Sequence, residues 1–167
     1  TQNAELIFGA YTFFGSSIKF ICSNKIKIGA YTRCAYESQL VDSNFHFVLN
    51  MKTGNVTRRE SEILIGKCNW IGNRTSITKG SKTKDFSIIC AGSLMNKDYT
   101  QNEENFIMLG GSPAKVLTSG LKRIFSTEIE KDIIYFFNNN PKANNYNLTS
   151  ELSDDFKDIH YWFEHMM

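Results

Sequence analysis

The sequence lacks any long apolar run, because no stretch approaches the roughly 20 residues that a membrane helix requires. No basic segment followed by an apolar segment opens the chain, so we expect neither a membrane span nor secretion. Since the first residue is Thr1 rather than methionine, we expect that residues precede it. A length of 167 residues with 41% hydrophobic and 22% charged residues is typical of a soluble globular domain.

Cysteine and histidine are scarce and poorly spaced for metal binding. The four cysteines form no Cys-x-x-Cys pair and have no histidine at a ligand spacing, which disfavours a zinc site or a disulfide framework. We expect them to be small apolar side chains in a reducing, cytoplasmic compartment. His160 and His165 lie in an acidic tail, where they are predicted to be helix-surface residues rather than parts of a three-histidine metal site.

The charge is unevenly distributed. Residues 1–60 and 61–123 carry net charges of +3 and +4, whereas residues 124–167 carry −5. The basic excess of the first two segments is too dilute for a nucleic-acid surface, which normally shows clustered Lys and Arg and a pI well above 8.3. This dilute positive charge is compatible with the binding of one phosphorylated ligand.

A six-residue period dominates the middle of the chain. An aliphatic or small residue returns every six positions without slippage, and the fifth place of each hexad is small and polar. The first set comprises Ile65, Ile71, Ile77, Thr83, Ile89 and Met95, and the second comprises Asn69, Thr75, Ser81, Ser87 and Ser93. Upstream, Phe8, Phe14, Phe20 and Ile26 follow the same period, which then shifts by two residues and resumes at Ile28, Cys34 and Leu40.

A period of six fits neither an amphipathic helix nor an ordinary strand. A short strand plus a two-residue corner does repeat every six residues, and three such units complete one turn of a parallel β-helix. We therefore expect each aliphatic residue to point inward and stack on its equivalent 18 residues later. Small fifth-place residues would fit the corner, and Gly66 and Gly72 would permit backbone geometry that larger residues resist.

Three linked motifs occur on this repeat. They are Ile65-Gly-Lys-Cys-Asn-Trp-Ile-Gly72, then Cys90-Ala-Gly-Ser93 with Asn96-Lys-Asp98, and then Gly110-Gly-Ser-Pro-Ala-Lys115. In this order they resemble the hexapeptide-repeat acyltransferases over residues 63–116. The resemblance implies a mainly β fold, namely a left-handed parallel β-helix over residues 1–118, and assembly as a homotrimer with active sites between neighbouring subunits. Residues 119–167 would form a helical C-terminal extension.

The repeat breaks at position 46, where an inward aliphatic residue is expected and His46 occurs instead. Residues 47–62 are polar and are predicted to form a loop that leaves the coil, a common place for functional residues. By resemblance, Asp42-Ser-Asn-Phe-His46 matches the family's catalytic segment. A neutral imidazole, with an unperturbed pKa of about 6.5, accepts a proton at cellular pH, so we expect His46 to be the general base. Asp42, Asn44 or a backbone carbonyl would fix its tautomer.

The resemblance also implies an acetyl-CoA site. Backbone groups along a coil edge pair with the pantetheine amides, and Lys or Arg suits the phosphates. The residues that occupy the family's positions are Trp70, Asn73, Ala91, Gly92, Asn96, Lys97 and Lys115. Trp70 would flank the thioester, Ala91 and Gly92 would act through the backbone, and Lys97 and Lys115 would meet phosphates together with Lys122 or Arg123.

The tail changes to helical spacing. A helix is predicted from Thr127 to Asn138, with Ser126 or Thr127 as its cap, and a second from Ser150 to about His165. The apolar stripes of these helices would pack on the coil or on each other. Contact with a neighbouring subunit or with the acceptor is the alternative.

The sequence thus predicts acetyl transfer from acetyl-CoA to a saccharide hydroxyl, with a bacterial surface polysaccharide or its precursor as the acceptor by analogy. Serine, chloramphenicol, galactosides and maltose stay open as smaller acceptors. An N-acetyltransferase for an amino-sugar nucleotide is the alternative enzyme. A non-enzymatic β-helix scaffold that binds proteins is the alternative of another class.

Overall fold

A computed structural model describes residues 3–149 and 156–165. The chain divides into two compact units, Thr1–Lys122 and Arg123–Met167. The strands of the first unit are, in chain order, β1 (Glu5–Phe8), β2 (Phe13–Phe14), β3 (Lys19–Ile21), β4 (Lys25–Ile28), β5 (Arg33–Cys34), β6 (Gln39–Val41), β7 (Val48–Leu49), β8 (Val56–Thr57), β9 (Ile63–Ile65), β10 (Trp70–Ile71), β11 (Ser76–Thr78), β12 (Ile88–Ile89), β13 (Leu94–Met95), β14 (Met108–Gly111) and β15 (Ala114–Thr118).

Three sheets contain most of these strands. Sheet A has the order β1-β4-β9, sheet B the order β15-β14-β12-β10-β5-β2, and sheet C the order β13-β11-β6-β3. The chain enters A, B and C in turn, and equivalent strands of successive coils pair in parallel. The first unit is therefore a mainly β, three-sided coil. We call the lines along which the chain turns from one sheet to the next the A–B, B–C and C–A edges.

The interior of the coil consists of stacked aliphatic side chains. Ile71 lies in register between Cys34 and Ile89, and Ile77 lies between Leu40 and Met95. All six are at most 1% exposed. The predicted stacking of residues 18 apart is confirmed for Ile71 on Ile89 and for Ile77 on Met95. Other coils are longer: Phe14 pairs with Cys34, Cys34 with Ile71, and Ile89 with Leu109.

The corners depend on the small polar residue at the fifth place. Thr75 and Ser93 are buried, and their hydroxyls donate to the carbonyl oxygens of Gly72 and Cys90 at 2.8 and 2.6 Å. Each hydroxyl thereby satisfies a carbonyl that the turn removes from the sheet. The preceding place has positive φ in successive hexads, at Cys68, Arg74, Gly80, Phe86 and Gly92. Non-glycine residues there adopt a left-handed conformation that costs about 1 kcal/mol each.

The glycines after the aliphatic positions have a different role from the predicted one. Gly66 is not among the residues with positive φ. A Cβ at Gly66 would lie 2.5 Å from the carbonyl carbon of Lys84, and one at Gly72 would lie 2.5 Å from the backbone nitrogen of Ala91. These glycines are required because consecutive coils approach closely at the corner, whereas the residues two positions later, Cys68 and Arg74, take the unusual backbone angle.

The second unit contains α1 (Thr127–Asn139) and α2 (Lys157–His165). α1 matches the predicted helix to within one residue, and its cap is Ser126, whose hydroxyl accepts from the backbone N–H of Ile129 at 3.3 Å. The predicted apolar face is the half-buried side of α1, and on it Phe136 packs edge-on against Tyr146. The predicted start of the second helix, residues 150–155, lies outside the described residues.

Candidate active site

The insertion after sheet C is an antiparallel hairpin rather than the predicted loop. β7 pairs with β8, and at its base Ser43 forms a bridge with Glu60. The backbone N–H of Asn44 also donates to the carbonyl of Arg59 at 2.9 Å. We call residues 43–60 the arm. It leaves the coil at the C–A edge, directly after β6, so the sequence identified its position but not its internal pairing.

His46 lies on a bulge in the arm. Between the paired positions Ser43–Glu60 and Val48–Thr57, the first strand contains residues 44–47 and the second only residues 58–59. The two extra residues of the first strand are therefore unpaired, and Phe45 takes a φ of 60°. Bulges of this kind redirect side chains and are frequent near active sites. The side chain of His46 is exposed.

Asp42, one of the three candidate partners for His46, is engaged by the coil in this structure. Its carboxylate is fully buried and accepts hydrogen bonds from the backbone N–H groups of Ser23 and Asn24, at 2.7 and 2.8 Å. The thiol of Cys22 donates to the same carboxylate at 3.5 Å. Within residues 3–149 and 156–165, no hydrogen bond joins Asp42 to His46. Asp42 instead fixes the first coil against the second at the C–A edge, and its two hydrogen bonds to the backbone offset the cost of burying the carboxylate.

A groove of about 320 Å³ runs along the B–C edge. Its lining includes Trp70, Asn73 and Ala91, three of the predicted cofactor residues, and Gly92 follows directly in the same corner. Trp70 points outward because its neighbour Ile71 points inward, and it is 46% exposed. The Asn73 amide donates to the Tyr36 hydroxyl at 3.1 Å. The groove therefore combines an aromatic wall with exposed backbone and amide groups.

The groove exists because small residues occupy one place of the repeat at this edge. Ala35, Gly72 and Cys90 stack on one another, and each follows an inward residue of sheet B. None of these three was predicted as a site residue. The signal was present in the sequence, since small side chains recur at the same place of the hexad along this edge.

The remaining predicted cofactor residues lie elsewhere. Asn96 and Lys97 follow β13 and are exposed at the C–A edge, the same edge that carries the arm and His46. The Lys97 ammonium lies 5.4 Å from the centre of the Tyr99 ring. Lys115 is exposed on β15, where it pairs with Gly110 at the end of sheet B. The predicted site is thus divided between two edges of the coil, with sheet C between them.

The described residues contain no cluster of metal ligands and no membrane-spanning helix. Across residues 3–149 and 156–165 there is no group of three His, Cys, Asp or Glu side chains placed to hold a metal ion. Neither described helix is long and apolar enough to cross a membrane. All four cysteines are free, with Cys34 and Cys68 buried.

No protein-family model and no curated protein matches the sequence. Solved structures do resemble the fold. The polySia-specific acetyltransferase NeuO aligns over 97% of this chain and 64% of its own, with 21% identity and a TM-score of 0.66. A hexapeptide-repeat-containing acetyltransferase from Vibrio cholerae O1 biovar eltor, complexed with acetyl-CoA, aligns over 68% and 60% with 22% identity and a TM-score of 0.57. An N-acyltransferase from Bacillus cereus, complexed with dTDP and coenzyme A, aligns over 79% and 71% with 11% identity and a TM-score of 0.58.

The chain spans less than two thirds of the length of the first two of these proteins. At such identities the likeness establishes the fold alone.

Proposed function

We propose that the protein is an acetyl-CoA-dependent O-acetyltransferase that acts on a hydroxyl of a saccharide, and that its coil is a left-handed parallel β-helix. One observation carries the proposal. The residues that resemble the family's site lie on two edges of one coil, an exposed histidine on a bulged arm at one edge and a groove with an aromatic wall at the other. The solved structures of similar fold are acetyltransferases and acyltransferases, which supports the same reaction class.

A homotrimer would complete the site. Equivalent corner positions on the two edges, such as Arg74 and Gly80, are six residues apart, so sheet C separates them by at most about 20 Å. Within one chain, the arm that carries His46 and the groove therefore lie on different edges, with sheet C between them. If three copies surround a threefold axis with sheet C facing inward, the C–A edge of each copy meets the B–C edge of the next. Such a closed ring uses one kind of contact three times.

The reaction assigns one role to His46. The acceptor oxygen attacks the thioester carbonyl carbon while the imidazole takes the hydroxyl proton. The new bond joins the acceptor oxygen to the acetyl carbon, the carbon–sulfur bond breaks, and the proton finally passes to the sulfur of the leaving thiolate. Binding both substrates in one groove supplies the alignment that the reaction needs.

The cofactor contacts would come from both edges. Trp70, Asn73, Ala91 and Gly92 would line the pantetheine and thioester on one copy, while Asn96 and Lys97 would approach from the neighbouring copy. Lys115, at the end of sheet B, is placed for a phosphate. Because acetyl-CoA is a cytoplasmic metabolite and the four cysteines are free thiols, we place the reaction in the cytoplasm.

Calorimetric titration with acetyl-CoA, followed by an acceptor screen that measures thiol release, tests the proposal. We expect saturable binding and thiol release that depends on a saccharide. A non-enzymatic scaffold would bind no acetyl-CoA. Loss of binding on Ala91→Glu, with unchanged circular dichroism, would locate the cofactor in the groove.

An N-acetyltransferase is the alternative, since an N-acyltransferase has a similar fold. Matched acceptors that differ only in a hydroxyl or an amine at one position separate the two reactions. Preferred thiol release with the amine would replace the O-acetyltransferase proposal.

A further inference from the structure

The bulge that carries His46 faces two consecutive arginines. Residues 58–59 are the second-strand residues that lie opposite residues 44–47. Arg58 and Arg59 therefore lie across the arm from the bulge that carries His46.

Only one of the two arginines is neutralised. The Arg59 Nε donates to the Glu60 carboxylate at 2.5 Å, and its guanidinium lies 5.2 Å from the centre of the Phe47 ring. Arg58 is exposed, and the Lys79 ammonium donates to its backbone carbonyl at 2.6 Å. In the described part of the chain, no carboxylate forms an ion pair with Arg58 or Lys79. Two unneutralised cations thus adjoin the bulge.

We propose that the acceptor is an acidic saccharide and that Arg58 binds its carboxylate, with Lys79 adding positive charge. This inference rests on the proposed function and names the substrate class of the same site. A planar guanidinium matches a carboxylate through two parallel hydrogen bonds. That contact would orient the sugar ring, so that a hydroxyl of the same or the adjacent residue is presented to His46. Arg58 is accordingly a specificity-determining residue.

The contacts of Arg59 also favour binding of a sugar at the arm. Since Glu60 and Phe47 hold the Arg59 side chain, its position is fixed before the acceptor arrives. The Phe47 ring is 66% exposed and offers an apolar surface next to His46, suitable for the face of a sugar ring. The arm therefore carries an exposed aromatic ring next to His46 in sequence and an exposed Arg58 in the strand opposite the bulge.

The test compares acceptors and variants in the full-length chain at saturating acetyl-CoA. The acceptors are uronic acid or sialic acid oligosaccharides, the same oligosaccharides with their carboxyl groups converted to amides, and a phosphodiester-linked oligosaccharide. Arg58→Gln removes the free cation, and Lys52→Gln at the tip of the arm removes one charge away from the bulge. Thiol release gives kcat and KM, and calorimetry gives the acetyl-CoA affinity.

We expect Arg58→Gln to raise the KM of the carboxylated acceptor by about tenfold or more, with kcat and acetyl-CoA affinity within about threefold of the wild type. Amidation should raise the wild-type KM similarly and make it insensitive to Arg58→Gln, while Lys52→Gln should behave as the wild type. Equal KM values for carboxylated and amidated acceptors would overturn the inference, as would a preference for the phosphodiester acceptor. Loss of oligomer in Arg58→Gln without a change in KM would instead assign Arg58 to a subunit contact.

The two proposals fail in different ways. Turnover of neutral saccharides with no preference for acidic ones overturns the acceptor class alone. Absence of acetyl-CoA binding, or of thiol release with every acceptor, overturns the proposed function, and the acceptor class falls with it.

Discussion

The Asp42 carboxylate accepts a hydrogen bond from the backbone N–H of Ser23 at 2.7 Å, so the acidic residue closest in sequence to the proposed base is engaged with the preceding coil. Both carboxylate oxygens are used, because the Asn24 N–H is bound by the other. We expect Asp42→Ala to lower the free energy of unfolding by about 2–4 kcal/mol, since a fully buried carboxylate is lost together with its hydrogen bonds to two backbone donors. Chemical denaturation measures this loss.

Asp85→Ala is the matched control, because the exposed Asp85 carboxylate also accepts one backbone N–H, from Lys67 at 2.7 Å. It should cost about 1 kcal/mol or less. If Asp42→Ala instead left stability unchanged and reduced kcat in the folded protein, the predicted orientation of His46 by Asp42 would be restored.

His46→Ala is expected to lower turnover by roughly 10²- to 10⁴-fold, the usual contribution of a general base. Circular dichroism and oligomeric state should not change, because the side chain is exposed. His165→Ala, which removes a histidine from α2, serves as the control and should keep full activity. Unchanged thiol release in His46→Ala would remove the histidine from the mechanism.

Subunit complementation tests whether the site is shared between copies. His46→Ala and Ala91→Glu each inactivate one edge, so neither homotrimer should be active. Mixed trimers prepared by joint refolding contain interfaces with both edges intact, and we expect them to recover a measurable fraction of wild-type activity. No recovery in verified mixed trimers would mean that both edges act within one chain.

Close approach of the coils and a positive φ are two different features of the corners, and they predict opposite effects of substitution on stability. Gly66→Ala should destabilise by about 1–3 kcal/mol, because the new methyl group meets the Lys84 backbone. Ser17→Gly should stabilise by up to about 1 kcal/mol, because Ser17 has a φ of 60° and is exposed. Thermal or urea unfolding measures both. A neutral Gly66→Ala would contradict the close approach of the coils.

Stability should fall between about pH 9 and pH 11 because of Cys34. Burial raises the pKa of its thiol from 9.0 to about 11. The thiol therefore loses its proton at a lower pH in the unfolded chain than in the folded protein. The contribution of Cys34 to the free energy of unfolding is fully present below about pH 9. It is lost as pH rises to about 11, and the free energy of unfolding falls by up to about 3 kcal/mol. Comparison with Cys34→Ala isolates the effect from other groups, since the variant should lack this slope. Parallel pH profiles for the two proteins would show that Cys34 contributes nothing.

The repeat made the coil predictable, because inward residues such as Ile71 and Ile89 recur at a fixed separation that a single strand or helix does not produce. The division of the site between two edges was implicit in the same spacing. Asn73 and Ala91 are 18 residues apart and must share an edge, whereas Asn96 follows the next strand. The arm was less accessible, because β7 and β8 contain two residues each and show no alternation long enough to recognise. The partners of Asp42 could not be read from sequence, since they depend on a coil that is two residues longer than the regular repeat.

The last strand of sheet B has a consequence for how copies of the molecule meet. β15 runs antiparallel to β14, whereas every other pairing in the three sheets is parallel among the described residues. Its outer hydrogen-bonding groups are therefore spaced differently from those of a parallel strand. The regular parallel ladder therefore ends at β15, and the exposed Lys115 on this strand disfavours edge-to-edge pairing with another copy into filaments.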